Sequence, residues 1–146
     1  MKVKASAFSV HEFAPYHFAL LSSRMSKALT TTCEASGLTL IEWRLLAIIA
    51  SSDRLSAAEV ASQSTMDSVA VHRAVMSLLS HGLISRVGDE SDLRIKRLVL
   101  TPNGRMAYAD VVPAAALLER KLLAVLSAAE AKSLERTLRK LLAVEF

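Results

Sequence analysis

The sequence predicts a mainly α-helical protein with one small β-hairpin, and three features of its central region lead to this fold class. A helix-start signal, Ser56-Ala-Ala-Glu59, is followed by a break at residues 63–66 and then by a second helix. A strand, a charged turn and another strand come next, at residues 83–87, 88–94 and 95–100. Helix, turn, helix and a hairpin with a basic tip is the order of a winged helix-turn-helix, which reads duplex DNA.

Two helices are predicted before this central region. Residues 1–10 are expected to form a loose arm. Apolar residues then recur every three or four positions from about Pro15, which predicts an amphipathic helix that ends near Gly37. Thr39-Leu-Ile-Glu42 has the spacing of a capping box, in which each side chain accepts a hydrogen bond from the other residue's backbone. It opens a short, nearly all-apolar helix that should be buried.

Two more helices are predicted after the hairpin. Thr101-Pro102 starts the first by the rule of an N-cap followed by a first-turn proline. Pro113 should kink or interrupt that helix because proline lacks a backbone donor. Ser127 and Glu130 repeat the capping-box spacing at the start of the last helix, which carries a stripe of leucines.

The predicted layout has one domain in each protomer. It comprises an N-terminal arm and dimerisation helix (1–37), a winged helix-turn-helix unit (38–100) and C-terminal dimerisation helices (101–146). The terminal helices are apolar but too few to enclose a second core alone. Pairing with the same helices of a second copy would bury them, so we expect an isologous homodimer.

Composition narrows the class of protein. A chain of 146 residues with 52% hydrophobic residues can bury a sizeable core, and a net charge of +4 mildly favours a polyanionic partner. The first residues do not have the pattern of a signal peptide, and no apolar run is long enough to span a bilayer. We therefore expect a cytoplasmic protein without membrane contact.

Catalytic and metal-binding patterns are missing from the sequence. The 4 histidines do not have metal-ligand spacing, and the single cysteine, Cys33, excludes an intramolecular disulfide. There is no glycine-rich phosphate loop after a strand and no nucleophile elbow. The expectation is a protein that is not an enzyme and holds neither metal nor cofactor.

The chain resembles the MarR family of bacterial transcription regulators over about residues 18–145. The most specific segment is Asp92-Leu-Arg94, which five residues separate from Leu100-Thr101-Pro-Asn-Gly104, as in the D-x-R and L-T-x-x-G motifs of that family. Residues 38–44, 55–60 and 66–75 support the match. The resemblance implies a dimer whose recognition helices and wings bind a pseudo-palindromic operator in double-stranded DNA.

Arg94 is the first candidate for a DNA contact. A guanidinium at a hairpin tip can enter the narrow minor groove, whose electronegative potential depends on A·T content. Asp92 is expected to hold that side chain through a charge-assisted pair. The resemblance implies the same two roles, and the alternative is a solvated turn with a local ion pair.

The second predicted helix of the central region supplies candidates for the major groove. Asp67 or Ser68 should cap its start, which places free N–H groups near a phosphate. Its predicted DNA-contacting residues are Ser68, Ala70, His72 and Arg73, although His72 is equally well explained as a surface histidine. Lys96 and Arg97, near the base of the hairpin, are candidate phosphate contacts or members of a solvated charged face.

The resemblance also implies an effector site, because many relatives release DNA when a phenolic or aromatic carboxylate binds near the dimer helices. His17 and Arg24 are seven residues apart, so both project from one face of the first helix and could clamp a carboxylate. Tyr16 and Trp43 are expected to line the pocket. Alternatively, Arg24 makes an intersubunit ion pair and Trp43 is part of the core.

The sequence thus predicts a sequence-specific regulator of transcription, a repressor that a small aromatic ligand releases from DNA. Two alternatives stay open. Cys33 would be the sensor of a redox-responsive regulator, although no Lys or Arg is adjacent to it in the sequence. The other is a winged-helix module that binds proteins and has lost DNA binding.

Overall fold

The computed structural model describes residues 8–52 and 54–145, so most of the arm expected over residues 1–10 lies outside the described residues. The helices are α1 (Ala14–Ala35), α2 (Leu40–Ala50), α3 (Ala57–Gln63), α4 (Ser68–Ser80), α5 (Pro102–Leu123) and α6 (Ala128–Leu142), with a short 3₁₀ turn at Val10–Glu12. The strands are β1 (Leu55–Ser56), β2 (Ile84–Gly88) and β3 (Lys96–Leu100). The predicted fold class, mainly α with a small hairpin, is confirmed.

Capping boxes open three of the helices, as predicted. The hydroxyl oxygens of Thr39, Ser56 and Ser127 accept from the backbone N–H three residues on, at 3.1, 3.2 and 3.3 Å. The glutamates at those positions accept from the backbone N–H of the capping residues, at 2.7, 2.7 and 2.8 Å. Each box satisfies two donors that a helix start otherwise leaves without partners.

The strands form one antiparallel sheet in the order β1-β3-β2. β2 and β3 make the predicted hairpin, with Ile84 opposite Leu100 and Gly88 opposite Lys96. We call residues 84–100 the wing. The strand β1 was not predicted, because its two residues coincide with the capping signal that precedes α3. It pairs with β3, with Ser56 opposite Arg97, and so attaches the start of α3 to the part of β3 close to the hairpin turn.

The core of residues 8–111 lies among α2, α3, α4 and the sheet. The buried side chains include Leu45, Leu46, Ile49, Val60, Val71, Val75, Leu78, Ile84 and Leu98. The start of α5 is held against the end of α4, where the hydroxyl of Thr101 donates to the carbonyl of Gly82 at 2.6 Å. A side chain at Gly104 would begin 1.8 Å from the carbonyl oxygen of Leu83, so only glycine allows this approach.

The C-terminal helices differ from this core. α5 runs through Pro113 without interruption, so of the two expected effects, a kink or an interruption, the interruption is wrong. Residues 112–146 form a compact unit of their own, distinct from residues 1–111. Within that unit α6 has no buried residue, and its leucine stripe includes Leu138 and Leu141 at 38% and 46% exposure. Among the described residues, no helix is long and apolar enough to cross a membrane.

Candidate nucleic-acid interface

Helix α4 is fixed at its start by a cap and along its length by its buried face. The Asp67 carboxylate accepts from the backbone N–H groups of Val69 and Ala70, both at 3.0 Å, so Asp67 is the cap. Val71 and Leu78 are buried on the inner side of the helix, as predicted. The opposite side of α4 is thereby held toward solvent in one orientation.

The solvent side of α4 carries the residues that the sequence singled out. Ser68, His72 and Arg73 are exposed and Ala70 is half-buried. Val69 and Met76, which the sequence reasoning missed, are also exposed, at 58% and 45%. Residues 69, 72, 73 and 76 share one face at helical spacing. We call these four residues the outer face of α4. A helical projection of the sequence that included apolar residues would have identified this face.

Backbone and side-chain hydrogen bonds close the turn at the tip of the wing. One carboxylate oxygen of Asp89 accepts from the N–H groups of Ser91 and Asp92, at 2.8 and 3.2 Å, and from the Ser91 hydroxyl at 2.5 Å. The backbone N–H of Ile95 donates to the carbonyl of Asp92 at 3.0 Å. The tip is therefore an ordered turn.

Arg94 is exposed at this tip, as expected for a residue that enters a groove. Asp92 accepts from the backbone N–H of Arg94 at 2.9 Å. The described residues show no ion pair between the two side chains, so the expected charge-assisted pair is a backbone contact instead. The carboxylate completes the turn that carries Arg94, and the guanidinium is left to solvent.

The contacts of Arg97 differ from those expected of a phosphate contact or of a solvated charged residue. Its guanidinium Nε lies 2.7 Å from Asp89 Oδ2, and its Nη1 lies 2.6 Å from Glu59 Oε2. The side chain is only 19% exposed. Two carboxylates therefore occupy the guanidinium, which gives Arg97 a structural contact where a phosphate contact was suggested. Lys96, the neighbouring residue, is exposed.

These contacts shift the protonation equilibria of the three charged groups. The Ser91 hydroxyl, and next the Arg97 guanidinium, hold the pKa of Asp89 far below its usual range. The hydrogen bond to Asp89 raises the pKa of Arg97. Backbone donation from Ser56 is the largest cause of the lowered pKa of Glu59. All three side chains are therefore charged at neutral pH.

The candidate effector residues lie on two separate helices. Tyr16 and His17 are exposed near the start of α1, where His17 Nε2 lies 2.7 Å from the carbonyl oxygen of His11. Arg24 is exposed farther along the same helix. Trp43, on α2, is half-buried, stacks on Tyr108 with ring centroids 6.2 Å apart and donates to its carbonyl at 3.3 Å. The contacts of Trp43 are those of a packed residue.

Cys33 is fully buried near the end of α1. Burial raises the pKa of its thiol, and the positive charge of Arg44 opposes that shift more weakly. A buried thiol with a raised pKa is a poor nucleophile at neutral pH. Over residues 8–52 and 54–145, no cluster of His, Cys, Asp and Glu side chains is arranged to hold a metal ion.

Comparisons with known proteins agree with this geometry. A family model described as "MarR family" matches residues 36–95, which include α2 to α4 and most of the wing. A transcriptional regulator of the MarR family from Silicibacter pomeroyi is 27% identical, with 92% of this chain and 91% of that chain covered and a TM-score of 0.82. No curated protein matches the sequence.

Two structures with lower identity share the fold. BpsR of Bordetella bronchiseptica, whose DNA binding is regulated by 6-hydroxynicotinic acid, is 21% identical over 96% of this chain and 100% of that chain (TM-score 0.82). MepR of S. aureus, solved as a DNA complex, is 22% identical over 90% of this chain and 97% of that chain (TM-score 0.79).

Proposed function

We propose that the chain, whose residues 36–95 match the MarR family model, is a MarR-type transcriptional regulator. It would act as a homodimer that binds a pseudo-palindromic operator in double-stranded DNA and represses transcription. The observation that carries this proposal is the pair of surfaces at the winged unit. The outer face of α4 presents Arg73, and an ordered hairpin tip presents Arg94. A helix of this kind fits the major groove, and an arginine at a tip fits the adjacent minor groove.

The homodimer is supported by the apolar surface of the terminal helices. On α1, Phe18 and Leu21 are 49% and 41% exposed, and on α6 Leu138 and Leu141 are 38% and 46% exposed. Single exposed apolar residues are ordinary, but stripes of them along two helices favour burial against another subunit. The two-fold symmetry of a dimer would match the symmetry of the operator.

The proposed effector is a small phenolic or aromatic carboxylate. Arg24 is exposed on α1 and provides the donors that a carboxylate requires, with Tyr16 as a neighbouring ring. His17 is exposed on the same helix and would donate to the carboxylate after its Nε2 leaves the carbonyl of His11. Regulation of BpsR by 6-hydroxynicotinic acid, a hydroxylated aromatic acid, supports this ligand class. The effector would lower operator occupancy by binding more tightly to an arrangement of the dimer that cannot bind DNA.

Both competing functions have less support. A redox switch at Cys33 would need a reactive thiol, whereas the buried side chain has a raised pKa. A module that binds only proteins would not need an exposed arginine on a braced hairpin tip. We therefore propose the DNA-binding function over both.

The DNA-binding proposal is tested with the intergenic DNA upstream of the protein's own gene. Fluorescence anisotropy would give the Kd at several salt concentrations for that duplex and for a scrambled duplex of equal length. We expect tighter binding to the upstream duplex than to the scrambled one. The logarithm of the affinity should fall steeply as the logarithm of salt concentration rises, because phosphate contacts release counterions. Equal affinity for both duplexes, or a flat response to salt, would contradict the proposal.

The effector proposal needs a separate experiment. A panel of phenolic and aromatic acids would be added to the preformed complex, and the Arg24→Gln variant would be compared with Lys140→Gln, which removes one exposed charge from α6. We expect one compound to release wild-type protein and the Lys140 variant at similar concentrations. The Arg24 variant should need at least about tenfold more. Equal response of all three proteins would remove Arg24 from the site.

A further inference from the structure

Three charged side chains connect helix α3 to the wing. Glu59 belongs to the capping box of α3, Arg97 lies on β3, and Asp89 follows β2. We propose that these residues, which we call the wing brace, are positioning residues that hold Arg94 ready for DNA. The inference rests on the proposed DNA-binding function, and it gives a positioning role to residues that need not contact DNA themselves.

The hydrogen bonds of the brace form an unbroken path. Glu59 Oε2 accepts from the backbone N–H of Ser56 at 2.7 Å and from the Arg97 guanidinium at 2.6 Å. Arg97 Nε donates to Asp89 Oδ2 at 2.7 Å. The path therefore begins at the first turn of α3 and ends at the start of the hairpin turn.

The second half of the path reaches the tip. Asp89 Oδ1 accepts from the backbone N–H of Asp92 at 3.2 Å, and Asp92 Oδ1 accepts from the backbone N–H of Arg94 at 2.9 Å. Each carboxylate orients the next segment of backbone. Two carboxylates therefore connect Arg97 to the backbone of Arg94.

The exposure of the brace separates it from ordinary surface ion pairs. The side chains of Arg97 and Asp89 are 19% and 16% exposed, whereas the nearby pair of Arg54 and Glu90 is 53% and 85% exposed. Glu59, at the α3 end of the brace, is 50% exposed, so the less exposed part of the brace is the Arg97–Asp89 pair. Exposed pairs add little order, but a guanidinium that donates to two carboxylates has a defined geometry. A preformed wing avoids the entropic cost of ordering the tip when DNA binds.

The direction in which one substitution changes the affinity for DNA distinguishes a positioning role from a purely electrostatic one. Asp89→Asn removes a negative charge beside the proposed DNA site, so electrostatics alone predicts tighter binding. An asparagine would also place an amide, in place of an accepting oxygen, against Arg97 or Ser91. If the brace positions Arg94, Asp89→Asn should instead weaken binding by about threefold to tenfold. This loss of affinity is smaller than the loss expected when the arginine itself is removed.

Glu90→Gln is the matched control, because it makes the same change of charge one residue away in an exposed pair. We expect it to leave affinity unchanged or slightly increased. Arg97→Lys is the second variant: it keeps the charge, but one ammonium group cannot reproduce the forked contact with both carboxylates. It should weaken binding in the same way as Asp89→Asn.

The decisive readout is a double-mutant cycle with Arg94→Ala, measured as Kd for the operator. If the brace acts through Arg94, Asp89→Asn weakens wild-type binding but causes no further weakening in the Arg94→Ala background. Equal weakening in both backgrounds would show a merely structural role and overturn the inference. Unchanged or tighter binding of both Asp89→Asn and Arg97→Lys would overturn it too.

The failure of the inference and the failure of the proposed function give different results. A wild-type protein that selects no DNA sequence overturns the proposed function, and the inference with it. A wild-type protein that binds its operator while the brace variants bind equally well overturns the inference alone. Circular dichroism of each variant would confirm that helix content is retained, so that a change of Kd is not a failure to fold.

Discussion

Helix α4 and the wing present surfaces of different composition within one winged unit. The outer face of α4 carries a single full charge, Arg73, beside the exposed side chain of Val69. The wing carries an exposed arginine on a turn that four carboxylate hydrogen bonds close. The outer face of α4 therefore has few polar side chains that can contact bases, whereas the tip of the wing is charged and is held by its own hydrogen bonds.

This difference indicates what each of the two surfaces contributes to DNA recognition. Side chains that donate two hydrogen bonds to a base edge provide most direct readout, and α4 has few of them. A minor-groove arginine responds to groove width and A·T content. We expect affinity and A·T preference to depend chiefly on the wing, with α4 supplying apolar contacts and register.

The largest effect is expected at Arg94. Arg94→Ala should weaken operator binding by about 10- to 100-fold and reduce the preference for A·T pairs, since the minor-groove contact is lost. Anisotropy with the operator and with variants that carry G·C pairs in its flanks would measure both changes. Arg136→Ala, an exposed cation on α6, is the control. If both variants retain wild-type affinity, the wing assignment fails.

A smaller effect is expected at Arg73. Of the two partners open to Arg73, a guanine or a phosphate, we propose a phosphate. Arg73→Ala should therefore weaken binding to all sequences by a similar factor of about three to ten. The slope of affinity against salt should fall by about one. A salt series with specific and scrambled duplexes gives both values. Loss of discrimination at a single guanine, with the slope unchanged, would instead make Arg73 a base reader.

Val69 should have an effect of about fourfold, the value of one buried methyl group. An exposed valine near the start of a recognition helix can contact the methyl group of thymine. Replacement of thymine by deoxyuridine, one site at a time, should weaken wild-type binding at one position in each half-site. The Val69→Ala variant should not respond to that replacement; an equal response would exclude the contact.

The smallest effect is a pH dependence of stability from the wing brace. The pKa of Asp89 is depressed, so its contribution to stability is complete above the unfolded pKa of about 4 and is lost as the pH falls. Arg97 and the Ser91 hydroxyl face this carboxylate. Urea unfolding of wild type and Asp89→Asn should differ at pH 7 and converge in acid; a constant difference would contradict this assignment.

Local patterns predicted the fold well. The capping boxes at Thr39, Ser56 and Ser127 depend on residues three positions apart, so the sequence displays them directly. The paired strands and the inward side chains of α4 follow from periodicity in the same way. Pro113 was judged by a local rule too, but the surrounding helix continues through it.

Contacts between distant residues could not be predicted. Glu59 and Arg97 are 38 positions apart, and only the pairing of β1 with β3 brings them together. Arg97 therefore looked like one member of a charged surface run. Asp92 was predicted to bind the guanidinium of Arg94, but it binds the backbone N–H of that residue. The D-x-R spacing fits a backbone contact as well as an ion pair, so the sequence could not distinguish them.

Hydroxyl-radical footprinting of the operator with wild-type and Arg94→Ala proteins tests the central claim most directly, since the radical reports access along the minor groove. For wild type we expect protection at two flanks, related by the symmetry of the dimer, and at the backbone sugars that border α4 in each half-site. In the variant, compared at saturating protein, the flanks should become accessible while the half-sites stay protected. Flanks that remain protected without Arg94 would contradict the claim that the wing reads the minor groove.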